Sequence, residues 1–255
     1  MIITTSGRSN VSVIHEAKRI AERYNASYIH RNKESIKKLL EKYQTNILMV
    51  GREKIELHTH SGKVKYHPNF AQVRAKRLLK GQSDAFIEAT ELNKGSSIID
   101  CTMGMLSDSL IASFIVDEAG SVTSLEAVQD LYITMVEGMD RYRYEIQELS
   151  KAASRIKTYN INAIDYLKSQ EDSSVDVVYF DPMFEETVES SSGIQSIESL
   201  ANHNGLTEEF INEAKRVANK RVVLKAHFRS SMFETFGFMR CVRSSSASHF
   251  GVIII

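Results

Sequence analysis

The chain is poor in cysteine and proline, with two residues of each among 255. Cys101 and Cys241 lie far apart without metal-ligand spacing, so we expect two reduced thiols, no metal and no disulfide framework. No stretch approaches the ~20 consecutive apolar residues that a membrane span needs. The first ten residues also lack the basic and then apolar pattern of a signal peptide. We therefore expect a cytoplasmic protein that has no membrane partner.

The chain has no net charge, with 32 Lys and Arg against 32 Asp and Glu, but these residues are unevenly distributed. Residues 1–80 hold 17 Lys and Arg against 6 Asp and Glu, a net charge of +11, and residues 81–255 carry the opposite −11. This division predicts two domains, 1–80 and 81–255. A basic domain favours an anionic partner, most simply RNA, although a solvated lysine-rich surface would give the same count.

The first 70 residues predict a small α/β domain. Apolar residues recur at helical spacing from Val11 to Tyr24, and a second, basic helix is expected around Lys33 to Tyr43. Short β-branched or apolar runs predict strands, the last two joined by a turn at Ser61 and Gly62. These runs are "ASYI", "NILMV", "KIELHTH" and "KVKYH".

From Gly95 onward, strands of continuous apolar character alternate with helices. Continuous apolar strands indicate a parallel sheet that is covered on both faces. We therefore predict an α/β fold with a doubly wound, mostly parallel sheet. The strand sequences expected for this layer include "SSIIDC", "SVTSLE", "RIKTYN", "VDVVYF", "RVVLKA" and "HFGVIII". Such sheets bind ligands beyond the carboxyl ends of their strands.

Two of these strand ends carry residues typical of a nucleotide-like ligand. The first runs into "DCTMGMLSD", residues 100–108, where Gly104 permits close backbone approach and the next helix presents free amide groups. One glycine instead of three argues against a dinucleotide site. Glu126 ends the next strand, where an acidic side chain can accept hydrogen bonds from both ribose hydroxyls. A plain turn and a solvated glutamate are the alternatives.

Asn162 and Ala163 follow the third strand, where a short amide and a small residue could meet the edge of an adenine. Asp165 is the alternative partner for such a base. A helix cap by Asn162 explains the same pattern about as well.

The stretch "VVYFDPMF" ends a buried strand with Asp181, Pro182, Met183 and Phe184. The Asp181 carboxylate should project into the same crevice as the two sites above. Pro182 fixes φ and removes a donor, so nearby carbonyl groups can accept hydrogen bonds, and Phe184 can stack on a flat base. This pattern predicts a site for an amino group, with an Asp-Pro turn as the alternative.

Taken in order, "DCTMGMLSD", "LEA", "NAIDYL", "VVYFDPMF" and "KRVVLKA" resemble the S-adenosylmethionine-dependent class I methyltransferases. The most similar group is that of the bacterial small-subunit ribosomal RNA guanine-N2 methyltransferases, whose strand also ends in Asp-Pro-Met-Phe. The stretch "YHPNFAQVRAKRLLKG" resembles the lead-in of that group, so the likeness covers roughly residues 66–230.

The resemblance implies a Rossmann-like sheet of seven strands and S-adenosyl-L-methionine as the cofactor. It places Asp100, Thr102 and Gly104 in the cofactor turn and Ser107 and Asp108 near the methionine part. It also places Glu126 and Ala127 at the ribose and adenine, Asn162 and Ala163 at the adenine, and Asp181 at the reacting region. This chain has Leu106 where the family has a second glycine, and Ser107 where it commonly has an arginine.

The sequence thus predicts a methyltransferase that acts on an exocyclic amino group of a base, most simply guanine N2 in ribosomal RNA. Asp181 and the Pro182 carbonyl would accept the amino protons, and Phe184 would stack on the exposed or flipped base. Lys225 would contact either the substrate phosphate or Asp181. The alternatives are a methyltransferase for a small molecule or protein, and a nucleotide-binding protein without catalysis.

Overall fold

The computed structural model describes residues 1–7, 9–182, 205–244 and 246–255, so Phe184 and the rest of the 183–204 stretch lie outside the described residues. The chain divides into two compact units. The first contains residues 1–67 and 128–143, and the second contains the described parts of 68–127, 144–186 and 202–255.

The described residues form strands and helices that alternate along most of the chain. The strands are β1 (Ile2–Thr5), β2 (Ser27–Tyr28), β3 (Ile47–Val50), β4 (Ile55–His58), β5 (Lys63–Val64), β6 (Ser97–Asp100), β7 (Ser121–Glu126), β8 (Ile156–Asn160), β9 (Val175–Phe180), β10 (Ala218–His227), β11 (Met239–Cys241) and β12 (Ser248–Ile254). The helices are α1 (Val11–Arg23), α2 (Ile36–Tyr43), α3 (Asn69–Leu79), α4 (Ala85–Thr90), α5 (Ser107–Val116), α6 (Gln129–Arg141), α7 (Gln147–Arg155), α8 (Ala163–Lys168), α9 (Glu208–Val217) and α10 (Met232–Thr235). None of these helices is long and apolar enough to cross a membrane.

The first unit is built on a mixed sheet with the strand order β2-β1-β3-β4-β5. Strands β1, β2 and β3 run parallel, and β3, β4 and β5 run antiparallel. Helix α1 begins at Val11 because the Asn10 side chain accepts a hydrogen bond from the amide of Val13, at 3.1 Å. The expected small α/β domain is confirmed.

Helix α6 belongs to the first unit although it follows β7 in the chain. It packs on β4 and buries the carboxylate of Glu137, whose side chain is 1% exposed. The guanidinium groups of Arg19, Arg23 and Arg141 surround this carboxylate at 2.9, 3.3 and 2.9 Å. Because a buried carboxylate is costly without cations, these pairs tie α6 to α1.

The second unit is built on a sheet of seven described strands in the order β11-β12-β10-β9-β6-β7-β8. The pairs from β10 to β8 are parallel, and β12 is antiparallel to both of its neighbours. The predicted doubly wound and mostly parallel sheet is therefore confirmed. The strand order reverses direction at β6, so the carboxyl ends of β6, β7 and β9 meet at one edge, where such sheets bind ligands.

The sequence interpretation missed three kinds of element. Strand β1 lies within the first five residues, to which no element was assigned. Strand β11 is a three-residue edge strand that is exposed along its length. Helices α3 and α4 were not assigned from periodicity.

Helix α3 falls in the second unit, so the compact units divide at residue 67, whereas the charge count placed the boundary at residue 80. Residues 1–67 and 128–143 of the first unit together hold 15 Lys and Arg against 9 Asp and Glu, a net charge of +6.

Leu106 takes a backbone conformation that normally favours glycine. Its φ of 60° and ψ of 15° are left-handed, and it stands directly before α5. For a residue with a Cβ, this conformation costs about 1 to 2 kcal/mol. The side chain of Leu106 is fully buried, which stabilises the fold by about 1.5 to 3 kcal/mol. Leucine is therefore tolerated in the turn because its burial offsets the backbone strain.

Replacing Leu106 tests this balance. Both Leu106→Ala and Leu106→Gly lose buried surface, at a cost of about 2 to 5 kcal/mol. Glycine has no Cβ to strain at this φ, so we expect Leu106→Gly to be the more stable of the two by about 0.5 to 1 kcal/mol. Urea unfolding measures the difference. The control is Leu110, which is equally buried inside α5, where the glycine variant should be the less stable. The same order at both positions would contradict the strain argument.

Candidate active site

The described residues predicted for the site all belong to the second unit. They lie at or just beyond the carboxyl ends of β6, β7, β8, β9 and β10. Because neighbouring strands in this part of the sheet are parallel, these ends share one edge. The fold therefore collects residues that are up to 125 positions apart, from Asp100 to Lys225.

The turn after β6 is organised by a buried carboxylate. Asp100 is 2% exposed, and its Oδ1 accepts hydrogen bonds from the amide and the hydroxyl of Thr102, at 3.0 and 3.3 Å. Its Oδ2 accepts from the Ser109 hydroxyl at 2.5 Å, and the Ser109 oxygen lies 2.9 Å from Ser124 Oγ, from which it can accept a hydrogen bond. Burial raises the pKa of Asp100 to about 7, although the Ser109 and Thr102 hydrogen bonds oppose this shift. Asp100 thus shapes the predicted cofactor turn from beneath.

Asp108 lies in the first turn of α5 and is held by three side chains. Its Oδ1 is 2.5 Å from Arg74 Nη1, and its Oδ2 is 2.8 Å from the Tyr179 hydroxyl and 3.3 Å from Lys225 Nζ. Burial disfavours the charged form, but the cations of Lys225 and Arg74 outweigh it and hold the pKa of Asp108 below its usual range. Since both oxygens are engaged, we expect the amides of Ser107 and Asp108, and not this carboxylate, to meet the cofactor.

Lys225 joins Asp108 to Asp181. Its Nζ is 2.6 Å from Asp181 Oδ2, so the structure gives it one of its two predicted contacts. Burial disfavours the ammonium, but Asp108 and Asp181 outweigh this effect and raise the pKa of Lys225. Burial raises the pKa of Asp181, which Lys225 opposes. The side chains of Asp181 and Lys225 are 26% and 25% exposed, so this pair remains open to a ligand.

The backbone of Asp181 is fixed from the β6 side of the site. Its amide donates to Thr102 Oγ1 at 2.7 Å, and the same hydroxyl is bound to Asp100. Thr102 therefore links the predicted cofactor turn to the predicted amino-group site. The next residue after Asp181 is Pro182, which has no amide hydrogen.

Arg74 holds the other side of Asp108. Its guanidinium forms two hydrogen bonds with the Asp84 carboxylate, both at 2.8 Å, in addition to its bond with Asp108. Asp84 also accepts from the amides of Phe86 and Ile87 and so caps α4. A planar guanidinium suits such a double contact, which makes the position of Arg74 more rigid than a lysine would be.

The ends of β7 and β8 carry the residues predicted for the ribose and adenine. Glu126 ends β7, and Ala127 is exposed just beyond it. Asn160 Nδ2 donates to the carbonyl oxygens of Glu126 and Ala127, at 2.8 and 3.2 Å, and fixes this segment. The Asn162 side chain accepts from the amide of Ile164 at 3.2 Å and so caps α8, while Ala163 is buried. The cap therefore uses the Asn162 oxygen and leaves its amide nitrogen as the group for a base.

Several residues that support the site were not predicted. Tyr179 lies inside the apolar run of β9, where its hydroxyl was the only sign of a polar role. Arg74 belongs to the lead-in stretch, but nothing in its local sequence identifies Asp84 and Asp108 as partners. Ser109 and Ser124 occupy helix and strand positions that give no sign of their contact with each other or with Asp100.

The residues at this edge fit S-adenosyl-L-methionine. Helix α5 begins without a side-chain cap, so its first amide groups are available to the carboxylate of the methionine part. Gly104 has a φ of +48°, and a Cβ built there would approach only the Thr102 carbonyl oxygen, at 3.7 Å. The turn is thus open above Gly104, and Glu126 ends the neighbouring strand where ribose hydroxyls are commonly bound.

Residues 31–236 match the family model described as "Putative SAM-dependent methyltransferase". The chain belongs to this family. It is therefore an S-adenosyl-L-methionine-dependent methyltransferase with a class I, Rossmann-like fold, as the sequence motifs predicted. The roles of the individual site residues stay predictions.

The chain is also similar to two curated proteins and to one solved structure. The chain is 42% identical to "Uncharacterized protein YpiP" of Bacillus subtilis over 253 residues, covering 99% of this chain and 98% of that protein. It is 25% identical to "Ribosomal RNA small subunit methyltransferase J" of Psychrobacter arcticus over 167 residues, which is 62% of this chain and 55% of that protein. This match thus spans about half the length of the ribosomal RNA enzyme.

The fold is similar to the crystal structure of the SAM-dependent methyltransferase NGO1261 from Neisseria gonorrhoeae. The TM-score is 0.67 at 16% identity, with 100% of this chain and 96% of that chain covered. At this identity the comparison concerns the fold alone. It agrees with the class I architecture seen in the second unit.

The raised pKa of Asp100 predicts a pH-dependent stability. The group binds a proton more tightly in the folded chain, at about pH 7, than its ordinary value of 3.8 allows in the unfolded chain. Its contribution is therefore fully present below pH 4 and is lost as the pH rises towards 7, by up to about 1.4 kcal/mol per pH unit. We expect Asp100→Asn to flatten this part of the profile, as measured by urea unfolding between pH 5 and 8. Parallel profiles for the two proteins would show that Asp100 is not the titrating group.

Proposed function

We propose that this methyltransferase acts on the exocyclic N2 amino group of a guanine in small-subunit ribosomal RNA. The observation that carries the proposal is the Asp181 carboxylate, which opens towards the site beside Pro182 and is held by Lys225 at 2.6 Å. The Asp-Pro-Met-Phe sequence and the similarity to ribosomal RNA small subunit methyltransferase J support the same substrate. The choice of an amino group as the methyl acceptor rests on the ability of the Asp181 carboxylate to accept its hydrogen bonds.

The bound cofactor supplies a methyl group on a positively charged sulfonium. Transfer to an amino nitrogen needs little acid or base assistance, so the residues of the chain mainly hold the nitrogen in line with the methyl group. The Asp181 carboxylate and the Pro182 carbonyl accept hydrogen bonds from the two amino protons. These bonds orient the nitrogen lone pair and stabilise the positive charge that develops on the nitrogen.

Lys225 and Asp108 keep Asp181 in position. Without the Lys225 ammonium, two partly buried carboxylates would share the site without a cation between them. Two neighbouring carboxylates repel each other, and this repulsion favours protonation of one of them. Protonation of Asp181 would remove a hydrogen-bond acceptor from the amino group. Phe184 would stack on the flipped base in this proposal, and it lies outside the described residues.

Substitution of Asp181 tests the amino-group site. Asp181→Ala removes the acceptor, and we expect the single-turnover methylation rate on RNA to fall by about a hundredfold or more, as loss of one preorganised polar partner commonly causes. Asp181→Asn keeps one oxygen and should retain part of the activity. Affinity for S-adenosylhomocysteine, measured by calorimetry, should change less than the rate.

The controls for this experiment separate chemistry from folding and from substrate choice. An Asp181→Ala protein that is folded, binds S-adenosylhomocysteine and methylates RNA at the wild-type rate would leave Asp-Pro as a turn only. Mass spectrometry of ribosomal RNA nucleosides from cells with and without the gene identifies the product. Unchanged N2-methylguanosine would contradict the proposed substrate and would favour a small molecule or a protein.

We also propose that the basic first unit holds the RNA. The net charge of +6 over residues 1–67 and 128–143 supports this role, although Arg19, Arg23 and Arg141 are engaged with Glu137. Helix α2 carries Lys37, Lys38 and Lys42 on a short segment, and all three side chains are exposed.

Charge reversal of Lys37, Lys38 and Lys42 to Glu should weaken RNA binding and make it less sensitive to salt. The reason is that each lysine that neutralises a phosphate releases a counterion when RNA binds. Fluorescence anisotropy at several salt concentrations measures both effects, and cofactor affinity should not change. RNA binding that is independent of salt in the wild-type protein would contradict this role.

A further inference from the structure

The segment after β10 carries an exposed ring beside arginine side chains. Phe228 follows the strand directly, and 37% of this residue is exposed. The Arg229 guanidinium lies 5.1 Å from the centroid of the Phe228 ring, and the His227 ring centroid lies 4.6 Å from it. We call this surface the arginine tip; it consists of His227, Phe228, Arg229, Arg240 and Arg243.

The backbone of Phe228 is fixed on both sides. Its amide donates to the Ala247 carbonyl at 2.9 Å, and its carbonyl oxygen accepts from Arg240 Nη1 at 2.7 Å. The His249 ring, 6.0 Å from the Phe228 ring, packs beneath it and is itself buried. The exposed ring is therefore preorganised, which lowers the entropy cost of binding a ligand on it.

The arginine tip is strongly basic. Residues 227–249 contain three arginines and one acidic residue, Glu234. Glu234 pairs with Arg240 at 2.6 Å. Arg243 reaches the Ser246 hydroxyl and the Ser248 carbonyl, at 3.3 and 3.4 Å. Among the residues that the structure describes, no carboxylate forms an ion pair with Arg229 or Arg243.

The arginine tip lies at the edge of the sheet that carries the candidate active site. Lys225 and Phe228 are three positions apart, which corresponds to about 10 Å at the rise of a strand. Lys225 contacts Asp181, the residue proposed to bind the target amino group. Because residues three apart on a strand point to opposite faces, an RNA chain with its base at Asp181 would have to pass around the carboxyl end of β10 to place a neighbouring nucleotide on Phe228.

We propose that the arginine tip binds single-stranded RNA next to the target base. A neighbouring base stacks on the Phe228–Arg229 pair, and Arg243 binds a phosphate. Proteins hold single strands in this way, with aromatic rings or guanidinium planes under the bases and cations along the backbone. An acidic peptide would bind to the arginine side chains and would not need a fixed, exposed ring. The arginines and the exposed Phe228 ring together therefore favour RNA. This inference deepens the proposed function and rests on it.

The test measures binding of guanine-containing single-stranded RNA oligonucleotides by fluorescence anisotropy. Phe228→Ala should weaken binding by about 5- to 150-fold, the range for loss of one base stack. Phe228→Tyr keeps a ring and should bind nearly as well as the wild type. Arg229→Glu should weaken binding more strongly than Lys157→Glu, a matched reversal of an exposed cation on β8, the strand at the opposite end of the sheet order. Calorimetry with S-adenosylhomocysteine should give the same affinity for every variant, which shows that each is folded.

The outcomes separate this inference from the proposed function. If the wild-type protein methylates ribosomal RNA but Phe228→Ala binds the oligonucleotides as tightly as wild type, the arginine tip is not a stacking surface. If Arg229→Glu and Lys157→Glu have equal effects, the contact is a diffuse charge effect and the inference is wrong. If duplex RNA of the same sequence binds as tightly as the single strand, stacking on Phe228 is also excluded. If the wild-type protein neither binds nor methylates RNA, both proposals fail.

Discussion

The Lys225 ammonium lies between two carboxylates, Asp108 and Asp181, and the arrangement of the candidate site depends on it. Each carboxylate is costly to bury alone, and the lysine is costly to bury without them. Together they form a charged cluster that Arg74 and Asp84 extend. The cluster links α3, α5, β9 and β10 through side chains, so the position of the Asp181 carboxylate is coupled to the packing of these elements.

The charge balance of this cluster suits the chemistry of the family. Arg74 and Lys225 supply two positive charges, and Asp84, Asp108 and Asp181 supply three negative charges when all are ionised. The remaining negative charge suits the positively charged sulfonium of the cofactor, and it would also stabilise the positive charge that develops on the proposed amino-group substrate. Because the pKa of Asp108 is lowered and that of Lys225 is raised, the pair keeps its charges at neutral pH.

The turn that precedes α5 carries a leucine in a backbone conformation that normally favours glycine. Leu106 adopts the left-handed backbone that glycine would take without strain. Ser109 and Thr102 hold Asp100 below the turn, so its shape is stabilised from the core side. The turn is therefore stabilised by the burial of Leu106 and by these hydrogen bonds, while the first amide groups of α5 have no side-chain cap.

The sequence by itself determined the layer architecture, the strand ends and the candidate residues on them. Continuous apolar strands such as "VDVVYF" must be buried on both faces, and that requirement places Asp181 at an open edge. The alternation of these strands with helical segments also predicted that α5 starts at Ser107 and α9 at Glu208. Strands β1 and β11 were missed, and the three residues of β11 are all exposed, so they carry no apolar pattern.

Only the tertiary structure decided which charged groups meet. Arg74, Asp108 and Lys225 are separated by 34 and 117 positions, and no local pattern states that their side chains converge. The same holds for α6, whose sequence position suggests the second sheet although its Glu137 is neutralised by arginines of the first unit. The physical reason is that propensity and periodicity act over a few residues, whereas ion pairing in a buried site depends on distances that only the folded chain sets.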